Sequence, residues 1–127
     1  MKVDNVKVYR FDRHRIRASL GCIKVGEFYY GKTSMDYLGP GIKNTDGKDT
    51  LFLCNFSVSR RYRNNGIGSR MLKYLLDTIQ PNTIVVLKCL DKRLEFYKRN
   101  GFKVASINYY CDGEYVYTMY YEKSESL

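Results

Sequence analysis

Val58-Ser59-Arg60-Arg61-Tyr62-Arg63-Asn64-Asn65-Gly66-Ile67-Gly68-Ser69 joins a near-continuous apolar run, Leu51 to Val58, to an amphipathic run, Gly66 to Ile79. The first run reads as a buried central strand. In the second, Ile67, Met71, Leu75 and Ile79 recur every four residues, Leu72 and Leu76 widen the stripe, and Pro81 ends what reads as a helix. A strand that feeds a basic, glycine-containing turn and then a helix makes an anion cradle. Glycine lets the backbone approach a ligand, the first helical N–H groups have no intrahelical partner, and the helix dipole adds partial positive charge. The stretch therefore predicts a phosphorylated ligand.

Two common glycine-rich turns do not fit. A P-loop requires Gly-x-x-x-x-Gly-Lys-Ser/Thr, but Gly68 is followed by Ser69-Arg70. The dinucleotide fingerprint requires a third glycine, which Gly66-Ile67-Gly68-Ser69-Arg70-Met71 lacks. What does fit is the cofactor-binding motif of the GNAT superfamily of N-acetyltransferases. That motif has a strand-ending aliphatic residue, a short loop often ending in Tyr-Arg, then Arg/Gln-x-x-Gly-x-Gly/Ala opening a helix. Val58 to Gly68 resembles it, with Arg63-Asn64-Asn65-Gly66-Ile67-Gly68 directly after Tyr62. A second block, Leu94-Glu95-Phe96-Tyr97-Lys98-Arg99-Asn100-Gly101-Phe102, is similar to the family's Phe-Tyr-x-x-x-Gly-Phe segment. It comes in the family's order, after an intervening strand at Thr83 to Leu87. The resemblance covers about Leu51 to Tyr121, and the first 50 residues carry little of it.

The resemblance implies an α/β fold of the GNAT type, with a central mixed sheet of six or seven strands and two main helices. It implies acetyl-coenzyme A as co-substrate and direct attack by an acceptor amine in a ternary complex. Backbone N–H groups of Asn65, Gly66, Ile67, Gly68 and Ser69, with Asn64 in the same loop, would hold the pyrophosphate, reinforced by Arg61 or Arg63. Leu51–Val58 and Thr83–Leu87 would be the strands that splay around the pantetheine arm. Backbone groups around Phe56 and Val58 would bind its amides and polarise the acetyl oxygen. Tyr97 matches the family tyrosine that protonates the departing thiolate.

Family members often carry a basic carboxylate on or near the central strand, yet Leu51 to Ser59 has none. Glu27, Asp36 and Glu114 are candidates on the acceptor side. Asp91, near the position of a family asparagine, reads as the N-cap of the helix through Arg99. The rival reading is a non-catalytic coenzyme A-binding or RNA-binding module that keeps this fold.

At 127 residues, with 44% hydrophobic and 15% aromatic content, residues 1–127 read as one folded domain. No apolar stretch is long enough for a membrane span, and Met1-Lys2-Val3-Asp4 does not begin a secretory signal, so the expected location is cytoplasmic. Cys22, Cys54, Cys89 and Cys111 lack metal-ligand spacing, and His14 is the only histidine; a zinc site is not expected. Cys54 and Cys89 lie in apolar strands, where a reduced thiol acts as a small hydrophobe. The net charge is +9. Arg60, Arg61, Arg63, Arg70 and Lys73 suit a polyphosphate ligand. A second cluster from Lys2 to Lys24 is either a solvated face or an attractor of RNA or another acidic macromolecule.

Val3 to Phe11 alternates apolar and polar, with a slip before Phe11. Arg15 to Val25 alternates through Ile16, Ala18 and Leu20, with Cys22 next in register. Gly26 punctuates that second strand, and Glu27 to Tyr30 begins a third. No helix separates these strands, a departure from the family that predicts a pared-down acceptor side. Gly31 to Thr50 is rich in turn residues, with a short strand near Met35 to Leu38, and reads equally as a flap or a connector. Asn100-Gly101 is a helix stop. Lys103 to Tyr110 and Glu114 to Tyr121 form a hairpin through Cys111-Asp112-Gly113, and Glu122 to Leu127 should fray. The hairpin's tyrosines (Tyr109, Tyr110, Tyr115, Tyr117, Tyr120, Tyr121) suit either a homodimer contact or an ordinary strand surface, so monomer and homodimer both stay open.

Overall fold

The computed structural model describes residues 5–32, 48–109 and 113–124. Among them run β1 (Val6–Asp12), β2 (Arg15–Leu20), β3 (Ile23–Lys32), β4 (Asp49–Val58), α1 (Ile67–Thr78), β5 (Thr83–Leu90), α2 (Leu94–Arg99), β6 (Lys103–Tyr109) and β7 (Tyr115–Lys123). The strands form a seven-stranded mixed sheet in the order β1-β2-β3-β4-β5-β7-β6. β4 and β5 pair in parallel, and the β1–β2, β2–β3, β5–β7 and β6–β7 ladders are antiparallel. This is the mixed α/β architecture with two main helices that the motif order implied. The chain divides into two compact units. One comprises Met1–Gly31 and Leu53–Ile79, the other Lys32–Phe52 and Gln80–Leu127.

In the first unit α1 packs against β1 and β2. Its stripe of Ile67, Met71, Leu72 and Leu75 is buried, as are Ile16, Ala18 and Phe28 of the strands. Hydrophobic burial along one helical face, rather than intrinsic propensity, holds such a 12-residue helix in place. Gly26 does not break the second strand as expected. It lies within β3, opposite Ala18, where a Cβ would come 2.9 Å from Met71 Cε and 3.2 Å from the Ser57 carbonyl. The glycine is there because α1 presses on the sheet. The break falls instead at Gly21, whose φ of +61° makes the turn. Cys22 is consequently exposed in that turn and is not part of the strand's apolar face. The slip before Phe11 is real: the β1–β2 register shifts between Arg10 and Asp12.

In the second unit the β4–β5 ladder runs from Asp49↔Thr83 to Phe52↔Val86. Thr83 to Leu87 are all buried, as a strand covered on both faces requires. β7 continues through Lys123, and Glu122 pairs with Lys48, so the expected fraying does not begin at Glu122. β6 and β7 form the expected hairpin, with Tyr109 opposite Tyr115. The expected strand near Met35 to Leu38, the reading of the long loop as flap or connector, Asp36 and the turn residues Cys111 and Asp112 lie outside the described residues.

Candidate active site

The cradle predicted from sequence belongs to the first unit. β4 carries Asn55 at φ +55° and ends at Val58, where the Ser59 N–H donates to the Val25 carbonyl at 2.8 Å. One 3-10 turn, Arg60–Tyr62, follows. Asn64 then adopts φ +63° and Gly66 φ +76°, two left-handed residues that turn the chain into α1. Asn65 braces this loop by donating Nδ2 to the carbonyls of Tyr62 (3.1 Å) and Arg63 (3.0 Å). The first intrahelical bond joins Arg70 N–H to the Gly66 carbonyl at 3.0 Å, so the Ile67 and Gly68 amides precede the helical ladder. The first turn of α1 contains no acid. A helix N-terminus without a compensating carboxylate favours an anion.

The named residues divide by environment. Ile67 and Gly68 are buried and present only backbone, and Ser69 is half-buried. The Phe56 ring stacks on Phe28, with centroids 5.3 Å apart and planes 7° off parallel, which fixes the side-chain direction near the strand end. Arg60, Arg61 and Arg63 are exposed. Arg63 does more than carry charge, since its Nε donates to the Val58 carbonyl at 2.9 Å and ties the loop to the end of β4. Arg70, counted among the cations suited to a polyphosphate, donates to the Val6 carbonyl at 2.7 Å and anchors the helix to β1.

Tyr97 belongs to the second unit. The sequence suggested Asp91 as the cap of its helix, but that expectation fails. Asp91–Arg93 form one 3-10 turn flanked by Leu90 with no side-chain cap, and α2 is only the six residues Leu94–Arg99. The Asp91 carboxylate instead accepts a hydrogen bond from the Tyr117 hydroxyl at 2.8 Å. A strand pairing that places Tyr117 opposite Cys89, two residues before Asp91, brings these groups together. That register could not be read from the local helix pattern.

The Tyr97 side chain is buried, with its ring edge-on to Phe96 at 5.0 Å and to Phe102 at 5.8 Å. Burial pushes its phenol up to about 12, reinforced by the nearby Cys89 thiol and opposed by Arg93. Tyr97 therefore stays a neutral hydrogen-bond donor across the physiological range. Cys89 is itself buried and pushed up to about 11 by burial and by Asp91, and its thiol lies 3.5 Å from Met119 Sδ. It behaves as the small hydrophobe expected of it; Cys54 is only partly buried.

Of the candidate bases, Glu27 sits on β3, 8% exposed, with Arg17 Nε at 2.8 Å, Lys24 Nζ at 3.2 Å and Arg15 at 3.7 Å. Burial pushes its carboxyl up, but the hydrogen bonds and charges of Arg17 and Lys24 outweigh this and hold it below its ordinary value. A carboxylate so clamped is a weak base. Glu114 is exposed beside β7. Among the described residues no group of His, Cys, Asp and Glu could hold a metal ion, and no helix is long and apolar enough to cross a membrane.

A mixed α/β sheet whose central strand delivers the chain through a basic, glycine-containing loop to a helix start without acids is suited to an anionic group. Residues 8–104 match the acetyltransferase (GNAT) domain family, and the chain belongs to that family. The family's chemistry is acetyl-coenzyme A-dependent acyl transfer. The fold is similar to that of the ribosomal-protein-S18-alanine N-acetyltransferase from Escherichia coli (TM-score 0.67, 18% identity, covering 99% of this chain and 74% of that one). It is similar to Arabidopsis thaliana Naa50 in complex with the bisubstrate analogue CoA-Ac-MVNAL (0.65, 23%, covering 89% and 72%). It is also similar to an N-acetyltransferase structure from Lactobacillus plantarum (0.65, 16%, covering 84% of this chain); this chain spans 66% of that protein's length. Comparison with curated proteins gives no match.

Proposed function

We propose that this chain is one N-acetyltransferase domain that moves an acetyl group from acetyl-coenzyme A to an amine by direct attack. The observation that carries the reading is the acid-free N-terminus of α1, entered through Gly66 at φ +76° from a loop bearing Arg60, Arg61 and Arg63. There the amides from Asn65 to Ser69 hold the diphosphate, with Asn64 shaping the loop and Arg61 adding charge. Arg63 holds the loop against Val58. The end of β4 at Phe56 and Val58 supplies backbone groups for the pantetheine amides.

In the transfer, the amine nitrogen bonds to the thioester carbonyl carbon, the carbon–sulfur bond breaks, and the thiolate takes a proton. The proton released by the amine goes to solvent. Tyr97 is the hydrogen donor to the sulfur. An ordinary thiol ionises near 8.5, well below this phenol at about 12, so full transfer from Tyr97 is uphill. Its contribution is therefore a hydrogen bond to the departing sulfur, and the proton that the thiolate takes comes from solvent.

The acceptor class is an amine on a protein, a small molecule or an aminoacyl-RNA. A polyamine-type pocket would need acids, and the chain has 13 against 22 Lys and Arg. A second reading, a coenzyme A-binding module without turnover, draws on the acid-free run from Leu51 to Val58 and the clamped state of Glu27. Replacing Tyr97 with Phe separates the two. The enzyme loses turnover of acetyl-coenzyme A on an acceptor found by isotope labelling of a lysate, yet keeps its calorimetric affinity for coenzyme A. The absence of any binding heat with coenzyme A would remove both readings.

A further inference from the structure

We propose that the face of β1–β3 turned away from α1 is a stacking surface for single-stranded nucleic acid. The strand registers set two cross-strand rows on one face. Tyr9, Arg17 and Glu27 make one row, and Asp12, Arg15 and Tyr29 make the other. Ile16 and Ala18, one residue out of phase, are buried on the opposite face, where Gly26 meets Met71 of α1.

The irregularity between Arg10 and Asp12 turns Phe11 onto the outer face. Its ring lies 3.4 Å from Arg17 Cζ and 4.6 Å from Arg15 Cζ, and Arg15 also lies 5.4 Å from the Tyr29 ring. Phe11 is 43% exposed and Tyr29 36%, so part of each ring faces solvent.

Charge favours an anionic strand over other occupants. Residues 5–32 carry seven Lys and Arg against two acids, Asp12 and Glu27. Both acids are spent on holding guanidinium groups in place: Asp12 binds Arg15 at 2.5 Å, and Glu27 binds Arg17 at 2.8 Å. Each guanidinium keeps further N–H donors beyond these bonds. The rings and the fixed cations alternate, as a strand with a phosphate backbone and flat bases requires. An acidic peptide would match the charge but make no use of the exposed rings. An open groove of about 690 Å³ extends the same face past Tyr9 and Ser19 to Lys7 and Asn5. The inference is independent of acetyl transfer, because it concerns β1–β3 and leaves the Gly66 helix start to coenzyme A.

The test is fluorescence anisotropy with a labelled oligouridylate of about 12 nucleotides. Heparin competes as a polyanion without bases, and coenzyme A is added in a separate arm. Binding should weaken steeply between about 50 and 200 mM salt. Phe11→Ala and Tyr29→Ala should each weaken oligouridylate binding by about tenfold while leaving heparin binding and the heat of coenzyme A binding unchanged. Both rings are exposed, so these variants should keep the parent's circular dichroism and melting temperature. Saturating coenzyme A should not displace the oligonucleotide. No binding at low salt, equal binding by the ring variants, or displacement by coenzyme A would each overturn the inference. Loss of coenzyme A binding in the parent protein would count against the acetyltransferase reading alone.

Discussion

Phe102 donates its main-chain N–H to the carbonyl of Tyr97 at 3.0 Å, and the two rings pack with centroids 5.8 Å apart. Gly101 N–H bonds the Lys98 carbonyl at 3.1 Å, one step inside. These nested bonds are a Schellman stop, and the ring contact is its usual hydrophobic partner. The Phe-Tyr-x-x-x-Gly-Phe spacing is thus explained first as helix termination. Tyr97 is placed by the geometry that ends a six-residue helix too short to be stable alone.

Gly101 is the pivot of that stop. It sits at φ +93°, and a Cβ there would lie 3.2 Å from the Tyr121 ring. Gly101→Ala should lower stability by about 1–2 kcal/mol from the left-handed backbone alone, with the Tyr121 contact adding to it. Urea denaturation measures the loss. A variant as stable as the parent would show that the helix end does not depend on this residue.

Tyr97 and Cys89 make the protein sensitive to alkali. The unfolded phenol titrates near 10 and the folded one near 12, so between those pH values only the unfolded chain gives up the proton. The stability that Tyr97 contributes is fully present below pH 10 and is lost as pH rises to 12, by about 2–3 kcal/mol. Cys89 adds a similar decline between 9 and about 11. Denaturant midpoints measured from pH 8 to 11.5 should show the parent falling away, and Tyr97→Phe should keep only the Cys89 part of the decline, which levels off near pH 11.

Glu27 carries the opposite dependence. Its folded carboxyl ionises below the ordinary value of 4.5, so its contribution is present above that pH and is lost as pH falls through the folded value. Glu27→Gln should lower stability at neutral pH by about 3 kcal/mol, because Arg15 and Arg17 lose a largely buried counter-charge. The variant should lack this part of the acid-induced loss. Below its melting temperature it should still bind and turn over acetyl-coenzyme A. A variant that is folded but inert would return Glu27 to the role of base.

Much of this was legible in the sequence because the relevant signals are local. The period-four stripe from Ile67 to Leu75 marks α1, the apolar run marks β4, and Asn100-Gly101 marks the helix stop. Gly26 and Asp91 were misread for a shared reason. A glycine pressed by Met71 looks in sequence like a glycine that turns, and an aspartate bound to Tyr117 looks like an aspartate that caps. Each is decided by a residue at least 26 positions away, which no local pattern carries. The Arg17–Phe11 stack was hidden likewise, since it depends on where the β1–β2 register slips.

Arg63 offers the sharpest separation of charge from position in the proposed cradle. Its Nε holds the Val58 carbonyl at 2.9 Å, while Arg61 on the preceding turn is exposed and makes its contribution as charge. Arg61→Ala should therefore weaken coenzyme A binding only modestly, and mostly at low salt, where an exposed cation is least screened. Arg63→Ala should weaken it by about tenfold at every salt concentration, because the loop between Val58 and Gly66 loses its tie as well as a cation. Arg63→Lys decides between the two roles. Lysine restores the charge but lacks the planar fork that reaches a backbone carbonyl while facing an anion. Titration calorimetry at low and moderate salt should find Arg63→Lys closer to the alanine variant than to the parent. Recovery to parental affinity would mean that Arg63 acts by charge alone and that the Val58 bond is incidental.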